Sequence, residues 1–573
     1  MAKQDITIED LVRKVNSGEI VLPEMQRRYV WTSVKVRDLL DSLYRKYPSG
    51  TILVWENEGT GPSRSLDVEQ NISPLTTKLL LLDGQQRLTS LTALLSGKPV
   101  IVKNSRRPVE IMFNLDHPDN LTDQALDLEY GDEADETETD EEDEEQLELE
   151  ADDEAKEIQE YLKQLTFVVH SKALEGSRNW VRVTDIFQKT DSQILKGIGL
   201  NSDHELWDKY QQRLNRVREI NKYLYVMHIL GKEYDYNEVT EIFVRVNSAG
   251  VKLRSSDLAL AQITAKWHGS LKIFEDFAKE AKEFGYDLDI GLIVRTLVVY
   301  ATNQARFKTV NSLSLEKIKG AWAEAKNGIY FSMNFLKHNT QIEGLGLLSS
   351  PFVVIPIALL ATERKEKLSK SEERDLIRWI YMAHAFGHYS RGSSESILEA
   401  DISTIRKKSG TVTELQEILE RQFGRNQFDE GDIKGKGRRS PLFSMAYLAA
   451  RQNGAKDWFT GLGISKFTKG KFHKIEVHHI IPRKLLAEAG YEKSEINEIA
   501  NMAFIGGRTN RKISAKDPSQ YLEEIVKERG EEALKAQFVP LDRQLWQVSR
   551  YRDFLSARRK LLIAAINGFL EKG

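Results

Sequence analysis

Ile475-Glu476-Val477-His478-His479-Ile480-Ile481-Pro482 decides the architecture of the C-terminal end. Residues 475–480 alternate as a strand does, and Pro482 begins a turn into the helical run Arg483-Lys484-Leu485-Leu486-Ala487. Asn501-Met502-Ala503-Phe504-Ile505 reads as a second short strand. Gly506-Gly507-Arg508-Thr509 reads as a loop, Asn510 begins a helical or irregular segment, and Asp517-Pro518-Ser519-Gln520 caps a final helix. Adjacent residues on a strand point to opposite faces. One histidine can therefore hold a cation while its neighbour faces a water. That division suits phosphodiester hydrolysis, in which a divalent cation neutralises phosphate charge and a neutral imidazole takes a proton from the attacking water. An asparagine carbonyl is a hard oxygen ligand suited to Mg²⁺ or a similar ion.

A second chemistry-bearing stretch lies near the N-terminus. Leu79-Leu80-Leu81-Leu82 belongs to a buried strand over 78–82 and feeds Asp83-Gly84-Gln85-Gln86-Arg87. A helix over 85–96 follows, with Leu88, Leu91 and Leu95 on one face and Gly97 as terminator. Strand, glycine turn and helix N-terminus together make an anion site, because free backbone N–H groups and the helix dipole face the ligand. Arg87 can fork onto phosphate oxygens, and Asp83 can hold a cation or activate water. The plainer reading is a helix cap bonded to a neighbouring loop. No Gly-x-x-x-x-Gly-Lys-[Ser/Thr] occurs, so a P-loop is excluded. Upstream, Thr7 reads as the N-cap of a first helix, residues 34–46 as a second helix and 51–55 as a strand.

At 573 residues the chain is too long for one core, and three or four units are expected. Met1-Ala2-Lys3-Gln4-Asp5 opens no secretory leader, and a cytoplasmic location fits. The most apolar stretch, 347–361, carries Pro351 and Pro356 and reads as core, so no membrane partner is expected. The absence of cysteine excludes disulfides, thiolate metal sites and cysteine nucleophiles. The formal charge of −4 conceals an uneven distribution. Residues 127–154 hold 18 acidic side chains and no Lys or Arg, and setting them aside leaves +14. The remainder is basic and suits a polyanionic partner. The acidic tract reads as a solvated, disordered insertion, with a cover for a basic groove as the alternative. His384 and His388 are four apart on a probable helix but lack the glutamate of His-Glu-x-x-His, so packing is the expected role.

The C-terminal block resembles the HNH, or His-Me finger, nucleases, and within them the nuclease domain of GmrSD-type (type IV) restriction enzymes. The resemblance rests on His478-His479-Ile480-Ile481-Pro482, Ile499-Ala500-Asn501-Met502 and Asn510. It implies His478 and Asn510 as metal ligands, His479 as general base, and Asn501 as the residue that holds the loop and orients His479. Lys512 and Lys516 are weaker candidates for phosphate contacts. His rather than Asp at 478 departs from many relatives and leaves metal preference open. Three N-terminal blocks resemble the ParB/sulfiredoxin-like domain of the same enzymes: Pro23-x-x-Gln26-Arg27-x-Tyr29-x-Trp31, Asp83–Arg87, and Phe243-Val244-Arg245-Val246-Asn247-Ser248-Ala249-Gly250-Val251-x-Leu253. The implied nucleotide site comprises Asp83, Gly84, Gln85, Gln86 and Arg87, flanked by Gln26, Arg27, Arg245 and Asn247; a capped turn is the plainer role for Arg245 and Asn247. Trp31 and Tyr29 are open between base stacking and core packing.

The expected fold is multidomain α+β. A ParB/sulfiredoxin-like α/β domain spans 1–268 with the acidic insertion at 127–154. A helical middle region spans 269–423, a basic linker 424–440, and a ββα-metal (HNH) domain 441–573. The expected function is NTP-regulated, modification-dependent cleavage of double-stranded phage DNA, with a divalent metal and an NTP as cofactors and a homodimer left open. The alternatives are a nucleotide-switched DNA-binding regulator with an inactive nuclease fold and a toxin-like nuclease acting on host nucleic acid.

Overall fold

The computed structural model describes residues 2–23, 31–57, 63–64, 78–98, 110–119, 164–170, 174, 178–249, 254–390, 392–407, 411–464 and 475–572. Gln26, Arg27, Tyr29, Gly250, Val251, Leu253 and the acidic tract 127–154 lie outside them. The chain divides into two compact units, residues 1–271 and 272–573. The expected helical middle region and the expected terminal domain fall within the second.

The first unit is built on a mixed sheet. Its strands are β1 (Ala2–Thr7), β2 (Ile20–Pro23), β3 (Ile52–Asn57), β4 (Ser63–Arg64), β5 (Lys78–Asp83) and β9 (Leu224–Leu230), in the order β1-β9-β3-β5-β2-β4. β5 runs parallel to β2 and antiparallel to β3. Leu79 and Leu81 pack into a core that includes Leu11, Leu40 and Leu88, one from each of the helices Ile8–Asn16, Ser33–Tyr44 and Gln85–Leu95. Leu80 and Leu82 pack on the other face with Val239, Phe243 and Ala261. A strand covered on both faces needs an apolar residue at every position, which is why four leucines run together. Burial of each contributes about 1.5–3 kcal/mol. A smaller antiparallel sheet joins β6 (Ile111–Asn114), β7 (Phe167–Val169) and β8 (Trp180–Arg182) in the order β7-β6-β8.

The second unit is helical up to its last third. The apolar stretch forms the helix Val354–Glu363, with residues 354–361 all buried. Pro351 opens a preceding 3₁₀ turn, and Pro356 lies in the first turn, where its missing N–H costs no bond. The helix Lys370–Ala385 contains His384 but ends before His388, with Gly387 (φ 67°) in the left-handed region between them. Both histidines are buried in packing roles. Ser349 N donates to His384 Nδ1 at 2.8 Å, while His388 Nε2 lies 3.0 Å from Asp401 Oδ2.

β10 (Ile475–His479) and β11 (Met502–Gly506) form an antiparallel pair that sets His478 opposite Ala503 and His479 opposite Met502. The helix Gly507–Ile513 follows β11 directly, so the segment expected as a loop over 506–509 is already helical at Gly507. The stretch 424–440 is not a free linker. It carries the helical turn Glu430–Ile433, buries Ile433 and hydrogen-bonds to the terminal elements: Gly435 N donates to Glu498, Ile499 N to Lys436 O, and Arg438 to Val477 O. Its composition reports exposed side chains, whereas its backbone groups are engaged by neighbours. Among the described residues, no helix is long and apolar enough to cross a membrane.

Candidate functional site

Strand alternation and the helix after β11 bring the C-terminal residues together. His478 is buried, 3% exposed, and its Nδ1 lies 2.8 Å from Asn510 Oδ1. Glu476 shares its face of β10, and Asn510 Nδ2 donates to Glu476 Oε2 at 2.9 Å. Gly507 admits this carboxylate, since a Cβ there would lie 2.1 Å from Glu476 Oε1. On the other side of the ring, Tyr521 OH is 3.4 Å from His478 Nε2 and donates to Ile480 O at 2.5 Å. His478 and Asn510 thus offer a nitrogen and an oxygen that fit one divalent ion. Among the described residues no three His, Asp or Glu side chains converge. Such an open donor set leaves room for water and phosphate oxygens, as Mg²⁺ sites commonly do.

His479 meets different partners. Its Nε2 lies 3.1 Å from Asn497 Oδ1. Asn501 does not touch this ring in a hydrogen bond. Fully buried, it accepts from Ile481 N at 2.9 Å and donates to Ile481 O at 3.0 Å and Ile496 O at 3.1 Å, while its own carbonyl accepts from Ile480 N at 2.7 Å. It therefore clamps the chain on both sides of the histidine loop, and the side chain on the ring is that of Asn497. Sequence reading passed over Asn497; the signal available was a pair of asparagines four apart in Ile496-Asn497-Glu498-Ile499-Ala500-Asn501.

The segment carrying both asparagines is gripped by the C-terminal helix Tyr551–Lys572. Tyr551 OH donates to Glu495 O at 2.7 Å, and Arg552 pairs with the Glu495 carboxylate. Arg559 forks onto buried Glu498 at 2.6 and 2.7 Å. Arg558, also buried, donates to the carbonyls of Ala500, Gln537 and Phe538, and burial lowers its pKa to about 9. A buried cation satisfied by carbonyls is an expensive device unless it fixes a geometry that matters.

Both histidines are held neutral. Burial lowers His478 to about 4, opposed by its bond to Asn510. Burial also lowers His479 to about 3, helped by the positive charges of Arg438 and Arg483. A neutral imidazole is the form that accepts a proton. The same arginines put cationic charge beside it, and Arg438 arrives from 41 residues upstream through its bond to Val477 O. Lys512 is exposed with Nζ 3.4 Å over the Phe459 ring, and Lys516 is exposed near Glu524.

At the N-terminal stretch, Asp83 ends β5 and Gly84 (φ 95°, ψ 9°) is the N-cap of Gln85–Leu95. The left-handed conformation and the nearby Ile52 side chain demand glycine. Arg87 is directed inward. Its guanidinium donates to Ser49 O at 2.5 Å, Thr51 O at 2.8 Å and Asp83 Oδ2 at 3.1 Å. Gly50 (φ 93°) lets it pass, because a Cβ there would sit 2.1 Å from Nη1. Gln86 Oε1 accepts from Trp31 N at 3.1 Å, Gln85 is buried, and Trp31 packs against the core. Arg245 lies on the helix Tyr236–Ala249, not in a turn, and pairs with Glu241 one turn back. Asn247 is on the same helix, with its side chain outside the description.

Residues 8–264 match the family described as GmrSD restriction endonuclease, N-terminal domain. The chain is also 23% identical to "Uncharacterized protein MJ0686" of Methanocaldococcus jannaschii, with 97% of each chain covered.

Proposed function

We propose that this chain is an NTP-regulated, modification-dependent DNA endonuclease of the GmrSD type, cutting foreign double-stranded DNA in the cytoplasm by a one-metal HNH mechanism. The observation that carries the reading is the strand–strand–helix convergence at residues 475–513. It puts His478 Nδ1 and Asn510 Oδ1 2.8 Å apart beside a neutral His479.

His479 takes a proton from a water, whose oxygen forms a new bond to phosphorus as one P–O bond of the backbone breaks. A divalent cation held by His478 and Asn510 would neutralise charge on the phosphate and on the leaving oxygen. Asn501 keeps the histidine loop in place. Arg438 and Arg483, with Lys512 and Lys516 farther out, supply positive charge for the backbone phosphates. In the first unit, Asp83 and the N-terminus of the helix at Gln85 would receive the nucleotide. Arg87 would act by holding the Ser49–Thr51 loop that borders it. The nucleotide switches cutting only if it favours one arrangement of the protein over another.

The decisive experiment is a cleavage assay on differently modified phage DNAs, with and without each NTP and Mg²⁺. His479→Ala abolishes cleavage and leaves DNA binding largely intact, and Asp83→Ala removes NTP hydrolysis. Persistent cutting by the first variant sinks the catalytic assignment; unchanged hydrolysis in the second sinks the nucleotide site.

A further inference from the structure

The nuclease reading leaves one question that geometry answers, namely which nitrogen of His479 takes the proton. His479 Nε2 lies 3.1 Å from Asn497 Oδ1. An amide oxygen only accepts, so Nε2 must carry the hydrogen. A ring that acts as a general base has one N–H and one lone pair, so with the hydrogen on Nε2 the lone pair is on Nδ1. The other asparagine of the segment cannot do this work. Both ends of the Asn501 amide are engaged by the backbone at Ile481 and Ile496.

Asn497 is also held as a positioning group must be. It follows the helical turn Lys493–Ile496, and its own N–H closes that turn onto Lys493 O at 3.0 Å. The glutamates on either side are anchored to the C-terminal helix, Glu495 by Arg552 and Tyr551, and Glu498 by Arg559. The backbone at Gly437 passes so close that a Cβ there would meet Asn497 O at 3.1 Å. An acceptor on a rigid segment fixes both the tautomer and the plane of the ring it bonds.

Resting on the nuclease reading, we infer that Asn497 is the positioning residue of His479: it pins the Nε2–H tautomer and presents Nδ1 to the attacking water. The pair 497/479 is thus a base and its orienting acceptor, separate from Asn501, which fixes the backbone.

The test is single-turnover DNA cleavage at saturating enzyme by the full chain, with DNA affinity and melting temperature measured in parallel. Asn497→Leu removes the acceptor. Asn497→Asp keeps an acceptor oxygen of the same shape. The expected result is a rate loss on the order of 10–100-fold for the leucine variant, with affinity and melting unchanged, and retention within about threefold for the aspartate variant. Three results overturn the inference: a leucine variant within twofold of the parent, a loss that follows affinity or melting instead of rate, or an aspartate variant as slow as the leucine one. The parent chain and His479→Ala separate the two levels of claim. A parent that never cuts, or a His479→Ala that does, removes the nuclease reading and this inference together. A parent that cuts, an inert His479→Ala and an active Asn497→Leu remove the inference alone.

Discussion

Replacing Asn501 by alanine tests the loop that carries His479. The side chain is completely buried, and truncation orphans three backbone groups: Ile481 N–H, Ile481 C=O and Ile496 C=O. Each unsatisfied buried group costs about 1–3 kcal/mol, and since the three are adjacent and relax together, a total of about 3–5 kcal/mol is expected. That is a large share of the roughly 5–15 kcal/mol by which a domain is stable. It corresponds to a fall in melting temperature on the order of 5–15 °C. The local signature is more specific. Ile480 N–H bonds to the backbone carbonyl of residue 501, which alanine retains, whereas Ile481 N–H loses its side-chain acceptor. Amide hydrogen exchange at Ile481 should therefore accelerate by about 100-fold or more, and Ile480 should follow only the global change. Cleavage should fall with the loop, because His479 sits one residue before it. Asn501→Asp should be no better, since it sets a carboxylate against two carbonyls. Unchanged exchange at Ile481 together with parental cleavage would refute the claim that Asn501 holds this loop.

Gly84→Ala should destabilise the first unit by about 1–2 kcal/mol, because φ is 95° and the new Cβ would meet Ile52 Cδ1 at 2.5 Å; a denaturant midpoint equal to the parent's contradicts the cap geometry. Stability should also fall in acid. Burial lowers His117 and His384 from 6.5 to about 4, so below pH 6.5 the unfolded chain binds more protons than the folded one. Their contribution is complete above pH 6.5 and is lost as pH falls toward 4, amounting to about 2 kcal/mol per histidine at pH 5. Urea unfolding at pH 7 and pH 5 checks the sign, and equal stability at the two pH values would show that these rings are not buried neutral.

Much of the architecture was legible because it is local. The four leucines of β5 announce a strand covered on both faces, and Thr7 caps its helix by accepting from Asp10 N as its position implies. The alternation at 475–479 and the apolar run at 502–505 identify the two strands around the histidines. Composition suggested a linker at 424–440, rich in Gly, Lys and Arg, although Gly435 N and Lys436 O bond to Glu498 and Ile499 and the Arg438 side chain bonds to Val477 O. Nothing in the composition announced that Arg245 lies on a helix and pairs with Glu241 one turn back.

The sequence by itself determined which residues can carry chemistry and on which kind of element each sits, since periodicity, caps and turn residues act within a few positions. Tertiary structure alone decided who meets whom. It brings Asn510 to His478 across 32 residues, Asn497 to His479 across 18, and Arg438 to the same strand across 39. It also turns Arg87 toward the carbonyls of Ser49 and Thr51. These pairings depend on how whole elements pack, and on which buried polar groups must find partners once water is excluded. No local pattern encodes that outcome.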